Sequence, residues 1–239
     1  MNKNFAPLVP LHPQFSYRID RVGKQLQPVL VIDEFLSRAE TLVDYAESNA
    51  VFSDADSYYP GVRAEAPELY IRTFHYHLHD LVRDTFGLRD EWVTGVKSCF
   101  SVVTTKPENL ARAQALPHFD STNQRELAAV HYLCDESYGG TSLYRHQTTG
   151  YEAITPENLA HYKETLELDC AAHPVGQSYM NGDNAIFQQT ASYAARFNRI
   201  IIYPCNLLHS GNIAKDFAFN SNPRGGRLTL NTFIYAQPT

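Results

Sequence analysis

The most chemically suggestive spacing in this chain is a histidine and an aspartate one residue apart, His118-Phe119-Asp120, within "LPHFDSTN". On an extended segment both side chains share a face, because strand side chains alternate with a period of two. Both could then reach one metal ion. The triplet alone is ambiguous, since a chain with ten histidines supplies about half of one such triplet by chance. A third ligand has to come from elsewhere, and His209 is the best placed, just beyond the apolar run Arg199–Tyr203 and Pro204. Two histidines and one carboxylate on one side of an ion leave three positions open, the arrangement of non-haem Fe(II) sites that activate oxygen.

A second candidate lies in "RLTLNTFIY", Arg227–Tyr235. Leu228, Leu230 and Ile234 face one way; Arg227, Thr229 and Asn231 face the other. A guanidinium fork with a hydroxyl two residues on makes a compact carboxylate receptor. The same pattern also describes the solvent face of an edge strand. Other histidines invite blander readings. His75 and His79 stand one helical turn apart, a spacing that can bind zinc, but no glutamate occupies the place of a metalloprotease base, and a polar helix face accounts for them. His146, His161 and His173 are expected at the surface or facing a substrate. "YYPGVRAEAP", Tyr58–Pro67, reads as a lid or a plain connector. Arg63 at its centre and Arg145 are candidates for anchoring an acidic substrate group.

Several elements must position these residues. Pro28–Ile32 reads as a buried strand, followed by a helix from near Ser37, where Ser37 and Glu40 have capping-box spacing. Leu42, Val43, Tyr45 and Ala46 supply its apolar face. A second helix is expected over Pro67–Phe86. Short β runs follow at Val96–Thr105, Leu127–Cys134, Thr141–His146, Arg199–Tyr203 and Arg227–Tyr235, with Gly139-Gly140 in the composition of a hairpin turn. Such a block predicts an antiparallel sandwich or barrel. Thr155–Leu168 predicts a helix with Thr155 as N-cap, Pro156 first inside, and Leu159, Tyr162 and Leu166 on one side. Gly176–Phe197 fits a helix or an irregular lid. The expectation is one domain over 1–239: a helical layer at about 28–92 and a β core at about 96–236, interrupted by a helical lid insertion at about 146–196.

Composition narrows the partners. The net charge of −6 comes with no basic run, which disfavours nucleic acid and anionic membrane surfaces. No run approaches a membrane span, and the opening, broken by Pro7, Pro10 and Pro13, does not read as a secretory signal. Cys99, Cys134, Cys170 and Cys205 form no CxxC pair, which disfavours a zinc ribbon and suits reduced thiols in a cytoplasmic protein.

Taken in order, "PHFD", "VHYLCDESYGGTSLY", "RFNRIIIYPCNLLHSG" and "RLTLNTFIY" resemble the Fe(II)/2-oxoglutarate-dependent dioxygenases, in particular their prolyl-hydroxylase-like branch. The resemblance covers roughly residues 98–236, and "PVLVIDEFLSRAETLVDYAES" is similar to the N-terminal layer of such proteins. It implies a mainly β, α+β fold: a double-stranded β-helix of the jelly-roll or cupin-like kind. It implies Fe(II) held by His118, Asp120 and His209, with 2-oxoglutarate and O2 as co-substrates. The far carboxylate of 2-oxoglutarate would pair with Arg227, assisted by Thr229. His131 stands where relatives often place a tyrosine facing that carboxylate; it either touches it or is a core histidine. The implied reaction is hydroxylation of a C–H bond in an amino acid, a peptide or protein side chain, or a small metabolite, with succinate and CO2 released. Desaturation and ring chemistry stay open, while Asp120 speaks against halogenation, because related halogenases lack this carboxylate. Two departures stand out. "IAKDFAFNSNPRGG" lengthens the gap between His209 and Arg227 and makes Arg224 a competitor for the carboxylate, and the 146–196 insertion is long. The rival reading is a non-catalytic module, or a cupin-like Zn2+ or Mn2+ hydrolase or isomerase whose Arg227 binds substrate. The expected partner is a small molecule or peptide, with a homodimer left open.

Overall fold

The period-two runs assemble into two antiparallel sheets in the computed structural model, which describes residues 7–54, 59–88, 91–214 and 216–238. Residues 1–6 of the proline-broken opening, Tyr58 of the expected loop and residues 89–90 of the expected helical layer lie outside the described residues. In chain order the elements are β1 (Ser16–Val22), β2 (Gln27–Asp33), α1 (Glu40–Ser48), β3 (Ser53–Asp54), β4 (Gly61–Glu65), α2 (Glu68–Phe86) and β5 (Glu91–Val103). They continue with β6 (Glu126–Tyr132), β7 (Gly140–His146), α3 (Leu159–Ala172), β8 (Phe187–Ala194), β9 (Arg199–Pro204), β10 (His209–Asn212) and β11 (Leu228–Pro238). The large sheet has the order β1-β2-β9-β6-β11-β5-β4-β3, and the small one β10-β7-β8. A bridge between His118 and His209 adds the His118 segment at the β10 edge of the small sheet.

Alternation along the large sheet explains its two cores. On one face Leu30, Ile32, Leu127, Ala129, Leu228 and Leu230 pack under Leu42 and Val43 of α1 and Phe74 and Leu78 of α2. On the other, Val29, Val31, Ala128, Ile201 and Tyr203 meet Leu143 and Tyr193 of the small sheet. Burial of this kind stabilises by about 25 cal/mol per Å² of apolar surface, enough to hold both sheets over the helices and each other. No helix among the described residues is long and apolar enough to cross a membrane, and no disulfide links the four cysteines.

Four local expectations are corrected. Gly139-Gly140 is not a hairpin: β6 pairs with β9 and β11, while β7 pairs with β8 and β10, so the turn carries the chain from one sheet to the other. Gly139 sits at φ +95°, where a Cβ would lie 1.7 Å from the carbonyl oxygen of Asn212, so the crossing requires glycine. The capping box at Ser37 does not form. α1 starts at Glu40 behind an Ala39 that offers no side-chain cap, and the Ser37 N–H donates to Pro10 O instead. α3 runs from Leu159 to Ala172, displaced because residues 155–158 close a separate turn in which Asn158 Oδ1 accepts from Thr155 N. Gly176–Phe197 is neither helix nor all lid; its second half is β8, a strand of the small sheet.

Candidate metal centre

The centre begins with backbone pairing. His118 N donates to His209 O at 2.8 Å and His209 N to His118 O at 2.7 Å. Directly opposed residues that exchange both hydrogen bonds project to the same face, and the two rings lie 4.3 Å apart between centroids. Asp120, two residues on, is held by its own N–H to Cys205 O at 2.8 Å. Its carboxylate oxygens stand 3.9 Å from His118 Nε2 and 3.4 Å from His209 Nε2. One ligand atom from each of the three residues lies within 4.8 Å of the others.

Protonation is also arranged. His209 Nδ1 lies 2.9 Å from Leu207 O, a bond only an N–H can make to a carbonyl, so Nε2, which faces Asp120, is the ring atom available to a metal. The His118 imidazole is pushed down to about 4, first by burial, then by His209, against the opposing pull of Asp120. Its side chain is 48% accessible, but that surface faces a cavity walled by protein, so the loss of bulk solvation still governs the direction. The His118 imidazole is therefore neutral near pH 7, the form that binds metal.

The triad opens onto a cavity of about 110 Å³ whose wall also carries Arg63, Tyr203 and Arg227. Arg227 is only 4% exposed; its Nη2 donates to Gly140 O at 2.7 Å, while its Nε is buried without a partner. An unsatisfied buried donor costs about 1–3 kcal/mol, which an anion in the cavity would offset. Thr229 follows on β11 but does not line the cavity; its hydroxyl is 3.0 Å from Asn231 Oδ1, and Asn231 does line it. Ladder pairing sets Arg63, Ser101, Thr229 and Tyr132 in one row across β4, β5, β11 and β6.

A family model described as a family of unknown function, DUF6445, matches residues 13–234. The chain belongs to DUF6445. No functionally curated protein matches this DUF6445 chain. Among solved structures it is similar to HygX from Streptomyces hygroscopicus with nickel, 2-oxoglutarate and hygromycin B bound: 14% identity, 89% of this chain and 84% of that one covered, TM-score 0.51. HygX with nickel and 2-oxoglutarate bound gives 13% identity, the same coverage and a TM-score of 0.50. A prolyl hydroxylase in complex with a hypoxia inducible factor peptide fragment from Trichoplax adhaerens follows at 12% identity, 87% and 83% coverage and a TM-score of 0.49. At these identities the HygX likeness is one of fold.

Several expected site residues of the DUF6445 chain lie elsewhere. His131 alternates onto the helix face of β6, where its Nδ1 is 3.3 Å from Tyr70 Oη and its Nε2 is 3.3 Å from Asn198 Oδ1. It is a core histidine held down to about 4 by burial, and it does not line the cavity. Arg224 is exposed and pairs with Asp44 and Glu47 of α1, so it does not compete with Arg227. His146 is fully buried rather than superficial, 3.0 Å from Asp169 through Nε2; His161 and His173 are exposed as expected. On α2, His75 is exposed and His77 Nε2 donates to Val9 O, as a polar helix face would.

Arg145 is not a substrate anchor. It is an ion-pair partner of Glu152, whose carboxylate is nearly buried and also accepts from Lys24 N and Gln25 N, tying the β1–β2 turn to β7. Arg145→Ala should cost about 3–5 kcal/mol of stability, since it strands a buried carboxylate, and a shifted denaturation midpoint would register it. Metal and ligand affinity should stay unchanged. The sequence reading missed the tyrosines of the cavity wall. Tyr203, whose ring is 4.9 Å from that of His209, was legible as an inward residue from its alternation with Ile201; Tyr59 and Tyr179 lie outside any periodic pattern.

Proposed function

We propose that this protein is an Fe(II)- and 2-oxoglutarate-dependent oxygenase on a double-stranded β-helix. It hydroxylates a C–H bond of a small molecule or peptide, with O2 consumed and succinate and CO2 released. One observation carries the reading: two imidazoles and a carboxylate with their ligand atoms clustered share a cavity with a buried guanidinium that has an unpartnered donor. The β-helix assignment is supported by the order in which β5, the His118 segment and β6 to β11 distribute between the two sheets. The HygX fold likeness, with nickel and 2-oxoglutarate bound in that protein, agrees with the cofactor assignment.

The donor set fits the metal. His118, Asp120 and His209 would hold it on one side and leave positions for co-substrate and oxygen, the ligand pattern of non-haem iron. Bound Fe(II) would supply oxygen-activating redox chemistry that no side chain offers. The chain's own residues do the rest. His209 turns its Nε2 toward the metal position because its Nδ1–H donates to Leu207 O. Arg227 would receive the far carboxylate, pre-positioned by Gly140 O. Tyr179, whose hydroxyl donates to Thr105 O at 2.6 Å, stacks on Phe219 at one wall of the cavity, an aromatic wall that would limit water at the reacting centre.

Anaerobic addition of Fe(II) and then 2-oxoglutarate should give a weak visible charge-transfer band that disappears when oxygen is admitted. Tight Zn2+ retention with no band would point instead to a hydrolase or isomerase. Failure to bind any metal would leave a non-catalytic module.

A further inference from the structure

The oxygenase reading uses one guanidinium of the cavity wall, yet the wall carries two. Arg63 stands on β4, paired with Ser101, which in turn faces Thr229 across β5 and β11. Its guanidinium lies 4.5 Å over the ring of Tyr59. A guanidinium stacked on an aromatic face still presents its N–H edge in its own plane, the geometry that receives a carboxylate or phosphate. β4 and β11 are separated by two strand spacings, roughly 9–10 Å, and Arg227 is tied separately to Gly140 O on the small-sheet side. The two guanidiniums therefore enter from different parts of the wall. Tyr59 lies within electrostatic reach of both. Among the described lining residues, the single carboxylate is Asp120, which belongs to the metal centre. Tyr59, under the Arg63 guanidinium, packs in one apolar cluster with Val103, Tyr179 and Ile213, all of which line the cavity.

We propose that Arg63 anchors an anionic group on the substrate, so that the substrate is a small carboxylate or phosphate ester with an apolar or aromatic body. The proposal rests on the oxygenase reading and adds the substrate class to it.

The test uses the whole protein with Fe(II) and saturating 2-oxoglutarate under anaerobic conditions. Phenylacetate, N-acetyl-L-phenylalanine and phenyl phosphate are titrated against the neutral phenylacetamide and N-acetyl-L-phenylalaninamide, read by calorimetry and by perturbation of the visible band. At least one anion should bind, and any matching amide should bind about tenfold more weakly or worse. Comparison of the carboxylates with phenyl phosphate identifies which anion the site takes. Arg63→Gln should bring anion affinity down to the amide level while the 2-oxoglutarate titration keeps its wild-type midpoint; Arg63→Lys should retain part of the discrimination and covers the case in which the glutamine variant does not fold. The proposal is overturned if acids and amides bind alike, if no anion binds, or if anion affinity survives Arg63→Gln. It is also overturned if either Arg63 variant raises the 2-oxoglutarate midpoint, because Arg63 would then serve the co-substrate. Absence of the visible band in the wild type removes the oxygenase reading itself, whereas an intact band without anion discrimination removes only the role of Arg63.

Discussion

Asp120→Ala should abolish 2-oxoglutarate turnover while leaving the fold intact. Asp120 contributes two separable things. Its backbone N–H, bonded to Cys205 O, fixes the segment beside the turn after β9, and alanine keeps that bond. Its carboxylate, 3.9 Å and 3.4 Å from the two imidazole Nε2 atoms, is the anionic member of the proposed ligand set, and alanine removes it. The remaining pair is two imidazole rings 4.3 Å apart, which bring no negative charge to a divalent ion. Altering an outer-shell partner of a metal ligand typically costs 10–100-fold in affinity or activity; deleting a ligand outright should exceed that range. The checks are metal content after dialysis, succinate release, and the thermal melting curve of the metal-free protein. Loss of metal and turnover with an unchanged metal-free melt is the expected result. Wild-type succinate release from Asp120→Ala would falsify the assignment of this carboxylate as a ligand.

How much of this was legible before folding differs from residue to residue, and the differences have physical causes. The His-x-Asp spacing carries its own geometry, because the period of two puts both side chains on one face of any extended segment. His209 was legible from its place after an apolar strand. Its exchange of backbone hydrogen bonds with His118 was not, since pairing across 91 residues is a property of sheet order. The leucines and isoleucine of β11 announced their face, and with it the inward face of Arg227. The same alternation, applied to Leu127, Ala129 and His131, would have put His131 on the helix side and removed it from the site. β8 gave no signal because the residues between its buried Phe187 and Tyr193, Gln188 to Ser192, are polar or small and half-buried or exposed, leaving no apolar rhythm. Gly139-Gly140 misled because turn composition states that the chain reverses, not which sheet receives it. Arg224 and Arg227, three residues apart, separate only through partners remote in sequence: Asp44 and Glu47 for one, Gly140 for the other.

That separation makes Arg227 the sharper test of the co-substrate site. Arg227→Ala should raise the 2-oxoglutarate requirement strongly and change turnover at saturation much less, because in the proposed assignment the far carboxylate is held alike before and during the reaction. Removing one member of a buried, hydrogen-bonded charge pair costs about 2–5 kcal/mol, so the apparent affinity should fall by roughly 30-fold or more. Arg227→Lys keeps the charge but loses the fork and should fall between alanine and wild type. Some structural cost accompanies alanine, since the Nη2 bond to Gly140 O at the sheet crossing is lost as well; the metal-free melt measures it independently. Arg224→Ala is the control: its partners are exposed carboxylates on α1, where solvent screening leaves ion pairs weak, and its 2-oxoglutarate titration should overlay the wild type. A shifted titration in Arg224→Ala with none in Arg227→Ala would reverse the assignment. It would mean that the buried Nε of Arg227 serves the sheet crossing rather than a ligand.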